Sequence, residues 1–184
     1  MATALQQIEA EPLLYPALPQ GLSQPALAAV VSNQQVGAIW KRIEDHVAHR
    51  WTERRVTWIV EGCGDWLPPL APIVEILTVE KWLDATWVAA TVTPSPLGGL
   101  SLPTDGHYRV VATVGGGLAP VSVTEAFRRM AEYLGGIRGS ASERSFRRSV
   151  GDVSNTFHHE TDFMGMALLK SGAADLLRNY RSVL

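Results

Sequence analysis

Residues 55–60 read RVTWIV and decide the fold class of this 184-residue chain. From Val56 to Val60 a large apolar side chain recurs at every second position, and this period of two is typical of a β-strand. The residues before this stretch have the apolar spacing of a helix. After it, Gly62-Cys63-Gly64 predicts a turn or a bulge. The chain therefore changes from helical to extended structure after Trp51.

Three further strands are predicted after this turn, at residues 73–81, 86–93 and 107–114. Asp84-Ala85 provides a tight connection between the first two of them. The links between the strands hold no crossover helix, so the sheet should be antiparallel. Helices are predicted before and after the strands along the chain. The sequence therefore predicts an α+β fold with a helical core, a small antiparallel β-sheet and a C-terminal helix.

The helix before the strands has two possible starting points. Pro25 is suited to the first turn of a helix, which would then run to Trp51. Ser32 followed by Gln35 resembles a capping box, which predicts a shorter helix over residues 33–50. Both alternatives place the same apolar stripe on one side of the helix.

The second half of the chain contains a further helix and a polar segment. Residues 120–134 have helical spacing, and Gly135-Gly136 is expected to end this helix. Residues 137–157 are polar and rich in serine and arginine, which predicts a mobile or partner-ordered segment. Residues 163–170 and 173–180 are helical in pattern. The predicted organisation is an N-terminal arm over residues 1–24, a core domain over 25–136, and a polar linker with a C-terminal docking helix over 137–184.

Composition excludes several classes of protein. Charged residues make up 18% of the chain, below the usual share of about 25%, which suggests that a partner covers part of the surface. The net charge of −2 gives no basic footprint for tight nucleic-acid binding. A single cysteine excludes an internal disulfide framework. The first twenty residues lack the positive start of a signal peptide, and no apolar run is long enough for a membrane span. We therefore expect a soluble protein made in the cytoplasm.

The densest group of metal-binding residue types is His158-His159-Glu160 with Asp162. Imidazole and carboxylate groups suit zinc or iron, so a small intracellular enzyme or metal-binding domain is one hypothesis. However, the HExxH spacing is absent, and acidic residues are also favoured at a helix start by the helix dipole. Trp66, beside Gly64 and Pro68, has an irregular context that predicts an interface position.

Several structural motifs together resemble the head–tail connector, or adaptor, proteins of long-tailed double-stranded DNA phages, which also occur in phage-like gene transfer agents. The resemblance covers residues 27–136. It is carried by the motifs Trp40-Lys41-Arg42-Ile43-Glu44, Arg50-Trp51-Thr52-Glu53-Arg54, Val56-Thr57-Trp58-Ile59-Val60-Glu61-Gly62, Leu67-Pro68-Pro69-Leu70-Ala71-Pro72-Ile73, Asp105-Gly106-His107-Tyr108-Arg109-Val110 and Arg128-Met130-Tyr133-Leu134.

The resemblance implies a structural, non-enzymatic subunit without a cofactor. Such subunits form a closed ring of about twelve copies under the portal protein. The ring extends the DNA channel, lets double-stranded DNA pass without reading its sequence, and docks the stopper or another tail-side ring protein. The implied location is the neck of the virion, after assembly in the bacterial cytoplasm and without contact with a membrane.

Two sets of residues follow from this implied role. DNA must slide through the channel, so the lumen should present acidic side chains, for which Glu44 and Asp45 are the candidates. The C-terminal segment carries more apolar groups than one helical stripe uses, which predicts docking onto the portal. The portal-interface candidates are Arg138, Arg144, Arg147, Arg148, Phe163, Met166, Leu169, Leu176, Leu177 and Tyr180.

Overall fold

The computed structural model of the chain describes residues 2–30, 32–139, 145–150, 153–158 and 163–181. The chain forms two compact units. The sheet unit comprises residues 2–15 and 48–118, and the helical unit comprises residues 16–47 and 119–181. The predicted α+β class is confirmed, although the strands are more extensive than the small sheet that was expected.

The sheet unit is built around a five-stranded antiparallel sheet, beside which lies a smaller sheet of three strands. The eight strands of the unit are β1 (Thr3–Glu9), β2 (Arg54–Glu61), β3 (Gly64–Trp66), β4 (Ile73–Leu83), β5 (Thr86–Ala89), β6 (Thr93–Pro94), β7 (Leu100–Leu102) and β8 (His107–Val114). The large sheet has the order β1-β2-β8-β4-β5, and a small second sheet has the order β3-β7-β6. The antiparallel pairing follows from the short connections, as predicted.

The four predicted strands are present, with one shorter than expected. The strand that begins at Thr86 ends at Ala89 rather than at residue 93. Asp84 and Ala85 form the expected tight connection, and both have a positive φ, 47° and 62°, as in the primed turns that suit a two-residue hairpin. Strand β1 was not predicted, because its sequence has no clear alternation and lies within the expected arm.

The core of the sheet unit lies on one face of the large sheet. Val56, Trp58 and Val60 of β2 are fully buried, as their period of two requires. Trp66 is only 2% exposed, and its ring packs edge-on against Trp58 with 5.5 Å between the ring centroids. The prediction that Trp66 lies at an interface is therefore wrong, because this contact buries it within its own unit.

The helices of the helical unit bury apolar side chains such as Trp40 and Phe127, whose ring centroids lie 5.0 Å apart. Its helices are α1 (Gln24–Ala29), α2 (Asn33–Val47), α3 (Val121–Gly139), α4 (Phe163–Lys170) and α5 (Ala173–Leu176), followed by a 3₁₀ turn at Arg178–Tyr180. A two-stranded antiparallel hairpin, β9 (Ser145–Val150) and β10 (Val153–His158), occupies part of the segment that was expected to be mobile or ordered by a partner. Within the described ranges, none of the helices combines the length and the apolar character that crossing a membrane requires.

The first predicted helix is divided in two, and the capping box marks the start of the second part. The Ser32 hydroxyl accepts a hydrogen bond from the Gln35 backbone N–H, and the Gln35 side-chain carbonyl accepts one from the Ser32 N–H, both at 3.3 Å. This reciprocal pair satisfies two amide donors that have no partner inside the helix. The shorter alternative is therefore correct, with its end at Val47.

The prediction that Gly135-Gly136 ends α3 is wrong, because the helix continues to Gly139. Gly135 is buried, and a Cβ atom added to it would lie 2.5 Å from the carbonyl carbon and oxygen of Pro25 at the start of α1. The glycine therefore lets α1 approach the backbone of α3 closely, which is a second common use of glycine in a helix. No atom lies within 4 Å of a corresponding Cβ on Gly136.

Candidate assembly surfaces

A buried cluster of charges fastens β1 to the sheet unit. The Glu9 carboxylate accepts hydrogen bonds from Arg50 Nε at 2.6 Å, from Arg50 Nη2 at 2.9 Å and from Arg54 Nη1 at 3.0 Å. The arginine side chains are only 3% and 2% exposed. Sequence reasoning missed this cluster because Glu9 precedes its partners by 41 and 45 residues.

The electrostatics of this cluster favour the ionised carboxylate. Burial by itself would raise the pKa of Glu9, but the hydrogen bonds and positive charges of Arg50 and Arg54 outweigh it and hold the pKa below its ordinary value of 4.5. Arg54 also donates to the Thr52 side-chain oxygen at 2.6 Å, and its guanidinium lies 5.6 Å from the centre of the Tyr15 ring. The first strand and the beginning of the arm are therefore fixed through one site.

The apolar residues of the arm are largely uncovered. Leu13, Leu14 and Leu18 are exposed. In the helical unit, the Trp40 indole N–H donates a hydrogen bond to the Pro16 carbonyl at 3.1 Å, so the arm is anchored there by its backbone. Exposed leucines beside such anchoring points are the kind of side chain that a neighbouring molecule covers.

The two lumen candidates have different environments. Glu44 is fully buried, so the expectation that it faces solvent is wrong. Its spacing of four residues from Trp40 places it on the apolar stripe of α2 rather than on the opposite face. Asp45 is exposed and accepts a hydrogen bond from Lys41 at 2.9 Å. Only Asp45 therefore presents an acidic group to solvent at this position, and its charge is partly balanced.

Basic side chains near the middle of α3 are also partly balanced locally. Arg128 Nε lies 2.7 Å and Arg129 Nε 3.1 Å from the Glu125 carboxylate. The hydrogen bond from Arg128, with that from Arg129, lowers the pKa of Glu125 to about 2. Because Glu125 stays ionised at neutral pH, it compensates one of these two positive charges.

The C-terminal candidates divide into buried and exposed groups. Leu177 is fully buried in the helical unit, and the Tyr180 hydroxyl lies 2.9 Å from the Ser122 hydroxyl. Leu176 is half-buried. By contrast, Leu169 is 67% exposed and Met166 is 37% exposed. The segment therefore contributes partly to its own core, which corrects the expectation that Leu177 is available to a partner.

The remaining candidates lie in or beside the segments outside the described residues. Arg144 lies outside the described residues, and only the backbone is described at Arg138, Arg147, Arg148 and Phe163. Of the proposed metal ligands, His159, Glu160 and Asp162 lie outside the described residues, and His158 ends strand β10 rather than starting a helix. Among the residues that are described, no group of three or more His, Cys, Asp or Glu side chains is placed to hold a metal ion.

Comparison with known proteins gives a fold but no sequence family. No protein-family model matches the chain, and no curated protein matches it. Among solved structures, a chain in the neck of an empty GTA particle, computed with C6 symmetry, has a TM-score of 0.51 and 18% identity, over 98% of this chain and 97% of that one.

Two weaker similarities come from related particles. A chain in the neck of a native GTA particle, computed with C12 symmetry, has a TM-score of 0.46 and 18% identity, over 92% of this chain and 97% of that one. A chain in the virion of a native gene transfer agent (GTA) particle has a TM-score of 0.48 and 16% identity, over 100% of this chain and 96% of that one.

The resemblance drawn from the sequence is confirmed at the level of the fold by the first of these comparisons: this chain shares the fold of a chain from the neck of a GTA particle.

Proposed function

We propose that this chain is a structural subunit of a head–tail connector ring in a phage or a phage-like gene transfer agent. The observation that carries the proposal is the similarity in fold to a GTA neck chain over almost the full length of both chains. A ring of about twelve copies would lie under the portal protein, extend the channel for double-stranded DNA and dock a stopper or tail-side ring. The chain would act by shape and contact rather than by catalysis.

The surfaces described above support this role. Exposed leucines in the arm and on α4 are available for contacts with other proteins of the particle. In the proposed channel, Asp45 is the remaining acidic lumen candidate on α2, because Glu44 is buried. A wall with few free cations would let the DNA slide, since each basic contact with a phosphate holds the duplex more firmly.

Portal docking by the C-terminal segment is the finer part of the proposal. Met166 and Leu169 are its best candidates, because they are exposed and lie on the same helix. Removing the whole segment would not test the idea, since Ala167, Ala173 and Leu177 are buried and their loss would expose the core. Replacing Met166 and Leu169 with serine tests the surface alone.

The experiment combines purified portal rings with the full chain and images the product by cryo-electron microscopy. A cyclic layer of density below the portal is expected with the unmodified chain. Met166→Ser with Leu169→Ser should reduce the occupancy of that layer, whereas the control Leu118→Ser, at another exposed leucine, should not. Absence of any layer with the unmodified chain would contradict the connector role. Normal occupancy with the double variant would contradict only the docking surface.

A further inference from the structure

The hairpin formed by β4 and β5 is more exposed than strands β2 and β8 of its sheet. In β2 and β8, buried residues alternate with less buried ones. In β4, by contrast, five consecutive residues from Val74 to Thr78 are exposed, as are the last two. This hairpin therefore carries an exposed surface that β2 and β8 lack.

The exposed positions of the hairpin are mostly apolar. The six large apolar side chains on it that are between 37% and 53% exposed are Val74, Ile76, Leu77, Trp82, Leu83 and Val88. We refer to these six as the hairpin patch. Trp82 packs against Trp87 with 5.0 Å between ring centroids, so the aromatic part of the patch is already ordered. The strand pairing places Ile76, Leu83 and Val88 on one face of the hairpin and Trp82 on the other, so the hairpin patch spans both faces. Ordered, exposed aromatic and aliphatic groups are typical of a protein–protein interface.

The geometry of β4 favours contact through side chains rather than through an added strand. Its register with β8 shifts between Ile73 and Glu75 and again between Ile76 and Thr78. Val74 and Leu77 are the extra residues at these two bulges. Bulges twist an edge away from the flat shape that a further strand needs. A partner therefore contacts the hairpin patch from outside the sheet.

The distribution of charge indicates what kind of partner fits. The sheet unit contains nine acidic and five basic side chains, a net charge of −4, whereas the helical unit contains nine acidic and eleven basic side chains, a net charge of +2. The hairpin itself carries the exposed acids Glu75 and Asp84 against Lys81, while Glu80 is paired with Arg109 of β8 at 2.6 Å. An acidic surface with an apolar centre is complementary to a basic surface, and complementary charge sets the orientation of two partners.

We propose that the hairpin patch docks onto the helical unit of a second copy of this chain. Because the patch and the surface that receives it differ, the contact is heterologous, and a repeated heterologous contact closes into a ring when its rotation allows. The inference rests on the proposed function only for the closure of the ring. The contact between two copies is a separate claim that free protein can test.

The experiment places the photoreactive residue p-benzoylphenylalanine at Trp82 in the full chain. A standard interface buries about 1,200–2,000 Å² and one hairpin supplies part of that, so covalent capture is preferable to a size measurement. Equal amounts of ¹⁴N- and ¹⁵N-labelled chain are mixed and irradiated at high concentration. Cross-linked peptides that contain both isotopes identify contacts between copies. The control carries the same photoreactive residue at Leu97, an exposed apolar position on the same unit outside the hairpin.

Mixed-isotope cross-links from position 82 to peptides of residues 16–47 or 119–181 are expected, with several-fold fewer from position 97. Asp84→Lys with Glu75→Lys should reduce their yield several-fold, and added salt should also reduce it, because both weaken charge complementarity. The control Glu11→Lys changes an exposed acid outside the hairpin and should leave the yield unchanged.

No mixed-isotope cross-links from position 82, or cross-links only to the sheet unit, would overturn the inference. The connector role is tested separately by the layer of density on the portal. If that layer forms but the hairpin yields no contact between copies, the inference fails and the connector role stands. If the cross-links form but no layer appears, the contact stands and the connector role fails.

Discussion

Strand β1 and helix α1 are neighbouring elements of the N-terminal segment, and each is fastened to its own unit in a different way. Strand β1 is held by the carboxylate of Glu9, which enters a buried pair of arginines. Helix α1 is held by a close backbone approach at Gly135 and by Glu132, whose carboxylate accepts hydrogen bonds from the Ser23 backbone N–H at 2.8 Å and from the Ser23 hydroxyl.

The difference determines what each attachment tolerates. A buried ion pair depends on both charges being present, because either partner left alone carries an uncompensated desolvation cost. A close steric contact is insensitive to protonation but does not accept an added methyl group. We therefore expect the attachment of β1 to respond to isosteric neutralisation and acid, and the backbone contact at Gly135 to respond to side-chain volume.

The largest effect is expected for Glu9→Gln. This change keeps the shape of the side chain but leaves Arg50 and Arg54 buried without their carboxylate, so the free energy of unfolding should fall by about 3–5 kcal/mol. Chemical denaturation measures the change, and Glu11→Gln is the matched control on an exposed acid of the same segment. Equal stability of the two variants would show that the cluster does not hold β1.

The same cluster gives a pH dependence with a defined sign. The folded-state pKa of Glu9 lies below its ordinary value of 4.5, so its stabilising contribution is complete above that value. It is lost as pH falls from about 4.5 through the lower folded-state pKa, because the unfolded chain then binds the proton more readily. Unfolding curves between neutral and acidic pH should show a smaller loss of stability in Glu9→Gln than in the unmodified chain. Parallel curves would contradict this assignment.

A somewhat smaller effect is expected for Leu177→Ala. This variant tests whether the C-terminal segment, like the α1–α3 contact, is held by packing. Leu177 is fully buried, and truncating a buried leucine leaves a cavity that costs about 2–4 kcal/mol. Leu169→Ala is the control, since that side chain is 67% exposed and its loss should change stability by less than about 0.5 kcal/mol. If both variants unfold at the same denaturant concentration, the segment is not part of the core.

The third effect isolates the contact between α1 and α3. Gly135→Ala places a methyl group 2.5 Å from the Pro25 carbonyl, and the shift that this forces should cost about 1–3 kcal/mol. Gly136→Ala has open space around the new methyl and should be neutral or stabilising by about 0.5 kcal/mol, because alanine is the better helix former. A stabilising Gly135→Ala would show that α1 is not packed closely on α3.

The contacts that these variants test also show which parts of the molecule could be predicted from the sequence. The strand at residues 55–60 and the turn at Asp84-Ala85 depend on residues that are adjacent in the chain, so their patterns were sufficient. The role of Gly135 and the pairing of Glu9 depend on contacts across about a hundred and about forty residues, which no local pattern contains. The glycine was therefore interpreted as a helix end, which is the commoner use near the end of an apolar stripe.

The site predictions were limited in the same way. Glu44 was assigned to the solvated face because it is charged, although its spacing from Trp40 already placed it on the buried stripe. Leu177 and Leu169 have the same side chain, and only the packing of α5 in the helical unit separates the buried one from the exposed one. The hairpin patch was missed because β4 has the composition of a core strand.

The smallest effect tests a contact that was visible in the sequence, the capping box at the start of α2. Ser32→Ala removes the hydroxyl that accepts from the Gln35 N–H, and loss of such a cap costs about 1 kcal/mol. Gln34→Ala is the control, because Gln34 is an exposed neighbour in the same turn. Amide hydrogen exchange should quicken in the first turn of α2 with Ser32→Ala, while β1 and the α1–α3 contact keep their protection. Because the cap is local, its loss should loosen one helix end, whereas loss of Glu9 should release a whole strand. Equal protection of the first turn in both variants would mean that packing, and not the cap, sets where α2 begins.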